Sequence, residues 1–255
     1  MVRILIFLIC IVTHGQTIKS SFELPYNYER VINDSYHDWI INQNIILDEP
    51  VYYYNGYIKA GLNRTYAAKF NYEIGTLDLH QCADATIYLH AKYYWDRNQI
   101  SKIKYHFTNG MLYSYEDFLK GIRPVVKGNE SKLVQNIPPE MFYQNTLLNL
   151  RKYLRIIWSY AGTLSLEYYD TEFVGWDGPY PGDMFLRGGS PGHVVNVVDI
   201  VSKGRDKKYI LSQSWMPAQE HEILLNPKDN SVWFSDRDIL RYLGFDQHDL
   251  KRFKK

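Results

Sequence analysis

The apolar positions of this chain change period several times, and each change marks an element. Ile4 to Val12 form an unbroken apolar run behind Arg3, ending at Gly15-Gln16, which is the pattern of a signal peptide over residues 1–16. "SYHDWIINQNIIL" reads as a short amphipathic helix, "PVYYYNG" as a strand ending in a turn at Asn55-Gly56, and "RTYAAKFNYEIG" as an alternating strand. Ala85, Ile87, Tyr88, Leu89, Ala91, Tyr94 and Trp95 give Asp84 to Asp96 the wide apolar stripe of a buried helix. "IKYHFTNG" is a strand and turn, and "SYEDFLKGIRP" a helix stopped by Gly121 and Pro124. Pro139 to Ala161 form the longest helical pattern, closed by Gly162. Beyond Gly182 the pattern shifts to three short strands joined by Gly-rich and polar turns. The order predicts an α+β fold, with helices followed by a small antiparallel sheet. No repeat or Pro/Gly-rich linker divides residues 17–255, which are expected to form one domain. Within it, 17–76 are a lead-in and 77–255 hold the chemistry.

Charge narrows the function. Lys plus Arg number 29 against 28 Asp plus Glu, a balance that argues against nucleic acid or an anionic membrane as partner. The leading apolar run is too short to span a bilayer, and no later segment approaches the ~20 apolar residues required. An exported protein, periplasmic or extracellular, is expected. Leu8-Ile9 precede Cys10 where a lipidated cysteine has small residues, so a lipid anchor is not expected. The 23 Tyr, 11 Phe and 6 Trp fit aromatic-rich strands and core better than a carbohydrate- or peptide-binding groove. No Cys-x-x-Cys or His-Glu-x-x-His is present, so neither a metal nor another cofactor is expected.

Loss of Cys10 with the signal leaves Cys82 as the single thiol of the exported chain, without an internal disulfide partner. It is either a small buried apolar residue or a nucleophile. Capped by Asp78 or His80, Cys82 would lie in the first turn of its helix. There unpaired N–H groups and the macrodipole favour a thiolate and could receive an oxyanion. The base such a nucleophile needs is His193, held at the head of the Val-rich strand in "GGSPGHVVNVVDIV". Alternation puts His193, Val195, Val197 and Asp199 on one face of that strand. Gln213, ahead of Asn196 and Asp199, is the group to orient the imidazole. Gln81, Gly189, Ser190 and Trp215 would contact substrate, the glycines of the turn allowing close approach. A carboxylate pair, Asp183 with Asp199, is the minor alternative as a glycosidase.

A cysteine at a helix start, a histidine at a strand head and a polar residue on the next strand resemble the papain-like superfamily, especially NlpC/P60-type cell-wall peptidases. Gly182-Asp183 leads into His193 as in that group, although Gln81 and Ala83-Asp84 replace its usual Asp-Cys-Ser-Gly run. The blocks "DLHQCADA", "YHFTNG", "YAGTLSL", "GDMFLRGGSPGHVVNVVD" and "LSQSWMPAQEHEILLNP" resemble, over nearly the whole mature chain, a family of secreted bacterial proteins catalogued as domain of unknown function 4846. That resemblance implies a bacterial envelope protein and assigns no activity. The triplets at Asn33, Asn63 and Asn129 are then incidental. The expected function is cleavage of an amide bond, with cell-wall peptide as partner and substrate. The competing expectation is a non-catalytic envelope binding or structural domain on a degenerate version of the same fold.

Overall fold

A computed structural model describes residues 15–32, 34–61, 64–175 and 178–254. The apolar run of the expected signal with Cys10, and the triplet asparagines Asn33 and Asn63, lie outside the described residues. Among the described residues the α-helices of four or more residues are α1 (Ile18–Ser21), α2 (Ser35–Ile41), α3 (Cys82–Asp96), α4 (Tyr115–Leu119) and α5 (Leu147–Tyr160). The strands are β1 (Ile45–Leu47), β2 (Tyr66–Phe70), β3 (Lys104–His106), β4 (Leu112–Ser114), β5 (Ile122–Lys127), β6 (Glu130–Gln135), β7 (Thr171–Phe173), β8 (Asp183–Arg187), β9 (His193–Lys203), β10 (Asp206–Gln213), β11 (Glu222–Leu224) and β12 (Leu250–Phe253). Among the described residues no helix is long and apolar enough to cross a membrane.

The fold is mixed α and β around an antiparallel sheet. That sheet is larger than the expected one. Its eight strands run β1-β2-β11-β10-β9-β8-β12-β7, every neighbouring pair antiparallel, and β3–β4 and β5–β6 form separate hairpins. The N-terminal strands β1 and β2 extend the sheet beyond β11, and β12 with β7 extends it beyond β8. A strand left at the edge exposes unpaired backbone groups, and these short flanking strands take them up.

Both faces are covered, which explains the long apolar run of β9. Val194 packs with Ala83, Ile87, Leu154 and Ile157 of α3 and α5, and Val198 and Val201 pack with Ile40 and Ile41 of α2. On the other face Val195, Val197 and Ile200 pack with Phe234, Ile239, Phe245 and Leu250. Helix α5 buries Leu150, Tyr153, Leu154, Ile157 and Trp158, the spacing of a one-sided helix. Helix α3, held between the sheet and α5, buries Ala83 to Leu89 without a break. Several tyrosines belong to the core: Tyr105, Tyr113 and Tyr153 are fully buried. Their hydroxyls donate to the Ile87, Ile122 and Tyr113 carbonyls respectively, which a buried phenol requires.

Four local expectations change. Helix α2 stops at Ile41, and Ile45 to Leu47 join the sheet as β1. "PVYYYNG" makes isolated bridges from Tyr52 to Ile58 and Tyr53 to Gln219, while its turn is in place with Gly56 at φ +83°. Helix α5 begins only at Leu147, because Thr146 caps it by accepting the Asn149 N–H at 3.2 Å. Between Pro139 and Met141 there is a single 3-10 turn; the paired prolines before it lack the N–H donors a longer helix needs. Ala161, extended at φ −101° and ψ 165°, ends α5, so Gly162 is not a left-handed cap.

The fourth change is a β-bulge in β9. Ile210 lies opposite Asp199 and Leu211 opposite Val197, leaving Val198 as the extra residue. The bulge reverses the alternation, so Asp199 does not share a face with Val195 and Val197. It points to α2, where it is fully buried. Arg30 donates to it from Nε at 2.9 Å, and its second nitrogen, Nη2, lies 2.8 Å away; His37 Nε2 is at 2.9 Å.

His80 and His221 are fully buried in this core, and His90 is partly buried. Burial lowers His80 to about 4 and His90 to about 3, and His221 well below the ordinary value, with His80 as a second cause for His221. Their pKa values are depressed in the folded state, so their contribution is present above ~6.5 and lost as pH falls toward 4. Stability read from urea titration should therefore fall from pH 7 to pH 4.5, with His80 alone contributing on the order of 2 kcal/mol. An unchanged midpoint would contradict their neutral burial.

Candidate active site

Cys82 is the first residue of α3. The residue before it, Gln81, adopts extended backbone, and its N–H donates to Asp84 Oδ2 at 2.9 Å, a bond that closes the helix start. Asp78 and His80, the expected caps, are used otherwise. The Asp78 carboxylate accepts the Ala218 N–H at 2.7 Å and the Gln81 side-chain amide at 3.3 Å. His80 is left-handed at φ +71° and fully buried. Its Nε2 lies 3.3 Å from the Tyr72 hydroxyl, which lies 2.7 Å from His221 Nδ1, and His221 Nε2 is 3.0 Å from Ser212 Oγ. Ser214 Oγ donates to the His80 carbonyl at 2.8 Å. The segment leading into Cys82 is thereby tied to the end of β10.

His193 opens β9 opposite Arg187, after a turn that only glycine permits at one point. A Cβ on Gly192 would stand 2.2 Å from Thr163 Oγ1, 2.7 Å from the Gly189 carbonyl oxygen and 3.0 Å from that of Arg187. The imidazole lies edge-on to Trp215, centroids 4.2 Å apart, and its Nε2 is 2.8 Å from Gln213 Oε1. Gln213 is opposite Glu222 in the sheet register and donates from Nε2 to Glu222 Oε1 at 2.9 Å. The second Glu222 oxygen faces Lys59 Nζ at 2.6 Å.

Gln81, Cys82, Gly189, Ser190, His193 and Trp215 all line one open cavity of about 820 Å³. Gln213 stands behind His193. Trp215 is half exposed at the rim and Met216 more so, whereas Trp158 is buried in the wall. The cavity thus brings together the thiol, the imidazole and the residues expected beside them, with largely apolar walls.

The electrostatics differ from expectation at the thiol. Burial pushes Cys82 up, and Asp84 adds to this, against the backbone N–H groups of Ala83 and Val194, which favour the thiolate. A contact from Val194 also places the sulfur beside the head of β9, one residue from His193. The helix N-terminus alone predicts a lowered pKa; desolvation outweighs it here. Burial also lowers His193, opposed by its bond to Gln213. It raises Asp84 to about 8, against the N–H groups of Gln81 and His80. Burial thus favours the uncharged form of the thiol and of the imidazole, and of the Asp84 carboxyl that lines the same cavity.

The other carboxylates are engaged elsewhere. Asp183 holds Arg252 at 2.6 and 3.0 Å, Asp199 holds Arg30 and His37, and neither lines this cavity, which removes the carboxylate-pair alternative. Asn196 donates toward the Ser212 carbonyl at 3.4 Å, so it and Asp199 are spoken for as orienting groups. Among the described residues no group of three His, Cys, Asp or Glu could hold a metal ion.

Sequence reasoning did not find Glu222, Lys59 or the His80–Tyr72–His221 chain. Glu222 sits within "EHEILL" as the first residue of the buried strand β11. That placement of a charge in a buried strand was the available signal.

With the geometry in hand, comparison with known proteins gives one match. The sequence model of the family described as "Domain of unknown function (4846)" covers residues 18–252. The chain belongs to this family. No curated protein and no solved structure matches it. The family assigns no chemistry, so the reading of the cavity rests on the side chains that line it.

Gly192→Ala should disturb the turn that carries His193, because two of the atoms in its way are backbone. A loss of about 1–3 kcal/mol is expected, read as a lower urea midpoint, together with a changed environment of Trp215 in fluorescence. A variant as stable as the parent would contradict the close packing of this turn.

Proposed function

We propose that this protein is an exported cysteine amide hydrolase of papain-like, NlpC/P60-type organisation, and that its substrate is a peptide of the bacterial cell wall. The observation that carries the reading is the shared cavity. It holds a thiol at a helix N-terminus and an imidazole that is fixed from behind by Gln213. Export and the cell-wall substrate rest on the leader-like N-terminus and the sequence resemblance.

In this reading Cys82 Sγ attacks the amide carbonyl as its proton passes to His193 Nδ1, the ring nitrogen that Gln213 leaves unengaged. The negative charge moves to the carbonyl oxygen, where first-turn N–H groups of α3 stabilise it. When the C–N bond breaks, its electron pair takes the proton from His193 and the amine leaves. The acyl group remains as a thioester on Cys82. Water then adds with His193 as base, the C–S bond breaks, and the thiol is restored. The net change is one water added across one amide. Gln213 Oε1 accepts from the ring throughout and stabilises the imidazolium. The Trp215 and Met216 rim would receive apolar parts of the peptide.

The raised Cys82 pKa also suits a domain that binds peptide in this cavity without cleaving it. Substitution separates the two readings. Hydrolysis of purified cell-wall stem peptides, followed by chromatography, should fall by on the order of 10²-fold or more in Cys82→Ser and His193→Ala. Its acidic limb should lie below ~6.5, because His193 works neutral and burial lowers its pKa. Activity is thus present above that limb and lost as His193 protonates. Undiminished hydrolysis by Cys82→Ser would end this mechanism. Peptide binding without turnover in the parent would favour the binding domain.

A further inference from the structure

We propose that Glu222, backed by Lys59, is a positioning residue that sets which nitrogen of His193 carries the proton; this rests on the cysteine-hydrolase reading above. A glutamine side chain can present either end to a neighbour, so Gln213 alone does not decide whether His193 meets an acceptor or a donor. Glu222 decides it. Its side chain is fully buried and lies opposite Gln213 across the β10–β11 ladder. A carboxylate held by an ammonium only accepts hydrogen bonds, and Lys59 Nζ lies 2.8 and 2.6 Å from the two Glu222 oxygens. The amide nitrogen of Gln213 must then face Glu222, where it donates at 2.9 Å. Its Oε1 must face His193 Nε2, at 2.8 Å.

An acceptor at that position requires Nε2 to carry hydrogen, which leaves the lone pair of the neutral ring on Nδ1. The chain Lys59–Glu222–Gln213–His193 crosses three adjacent strands. It transmits the orientation of a buried ion pair to an imidazole that the pair does not touch. When His193 gains a proton from Cys82, the same chain offers the imidazolium a fixed acceptor polarised by Glu222. With the bond reversed, Nε2 would hold the lone pair and Nδ1 a proton, and the ring could not accept from the thiol at Nδ1.

The test is the tautomer of His193 by two-bond ¹H–¹⁵N spectroscopy of the ¹⁵N-labelled mature chain, with its signals assigned by their loss in His193→Ala. The neutral ring of the parent should be the Nε2–H form. Glu222→Gln, which can present a donor to Gln213, should show a mixture, and Cys82 alkylation at pH 7 should slow by about tenfold or more. The parent measurement needs no Glu222 variant to fold, and an Nδ1–H ring there would overturn the assignment. So would a folded Glu222→Gln with unchanged tautomer and unchanged alkylation. If His193→Ala slows alkylation and Glu222→Gln does not, Glu222 alone is dismissed and the hydrolase reading stands. If His193→Ala also has no effect, the hydrolase reading fails and takes this role with it.

Discussion

The contact between the first turn of α3 and the head of β9 is the constraint on which the candidate site depends. Ala83 and Val194 belong to one buried cluster, so the residue after Cys82 and the residue after His193 are fixed together by packing. Interiors close-packed like these transmit small shifts, and neither side chain can move far from the other while that cluster is intact. The rest of the architecture serves this junction. Helix α5 backs α3 from outside, the C-terminal apolar residues close the far face of the sheet, and the Gly192 turn admits β9 without a side chain in the way. The thiol and the imidazole face one cavity because two apolar surfaces meet.

That same burial sets the chemistry. A fully exposed cysteine at a helix N-terminus would ionise easily, and an exposed histidine would titrate near neutrality. Desolvation moves the two groups apart, the thiol up and the imidazole down, so the uncharged pair is favoured at rest. Charge would then develop only as the carbonyl arrives, where oriented N–H groups and Gln213 can meet it without reorganising. The buried carboxylates of Glu222 and Asp199 are paired, Glu222 with Lys59 and Asp199 with Arg30. An unpaired buried charge would cost several kcal/mol.

Local physics was legible in the sequence where a single element decides it. The stripe of α3, the cap-and-stop pattern of α4 and the Val-rich run of β9 are each set by periodicity and by turn residues. Cys82, His193 and Gln213 could be placed at a helix start and at strand ends for that reason, and the fold brings all three to one place. Long-range pairing was not legible. The addition of β1 and β2 to β11 depends on which edges remain unpaired after folding, and no residue announces that. The β9 bulge came from a one-residue mismatch with β10, which periodicity within β9 cannot show, and it sent Asp199 to the opposite face. Likewise the helix-start argument for an acidic thiol was sound locally and lost to burial, a property of the assembled core. Glu222 and Lys59 lie 163 residues apart, and only the tertiary fold brings them into contact.

The most direct measurement is the pH dependence of Cys82 alkylation in the folded protein, with and without His193→Ala. If the two residues act as nucleophile and base, Cys82 reacts without unfolding. Its thiolate then forms above the ordinary ~8.5, and removing His193 slows the reaction near pH 7 by on the order of 10²-fold. A thiol that reacts only when the protein unfolds, or at the same rate without His193, would contradict the account.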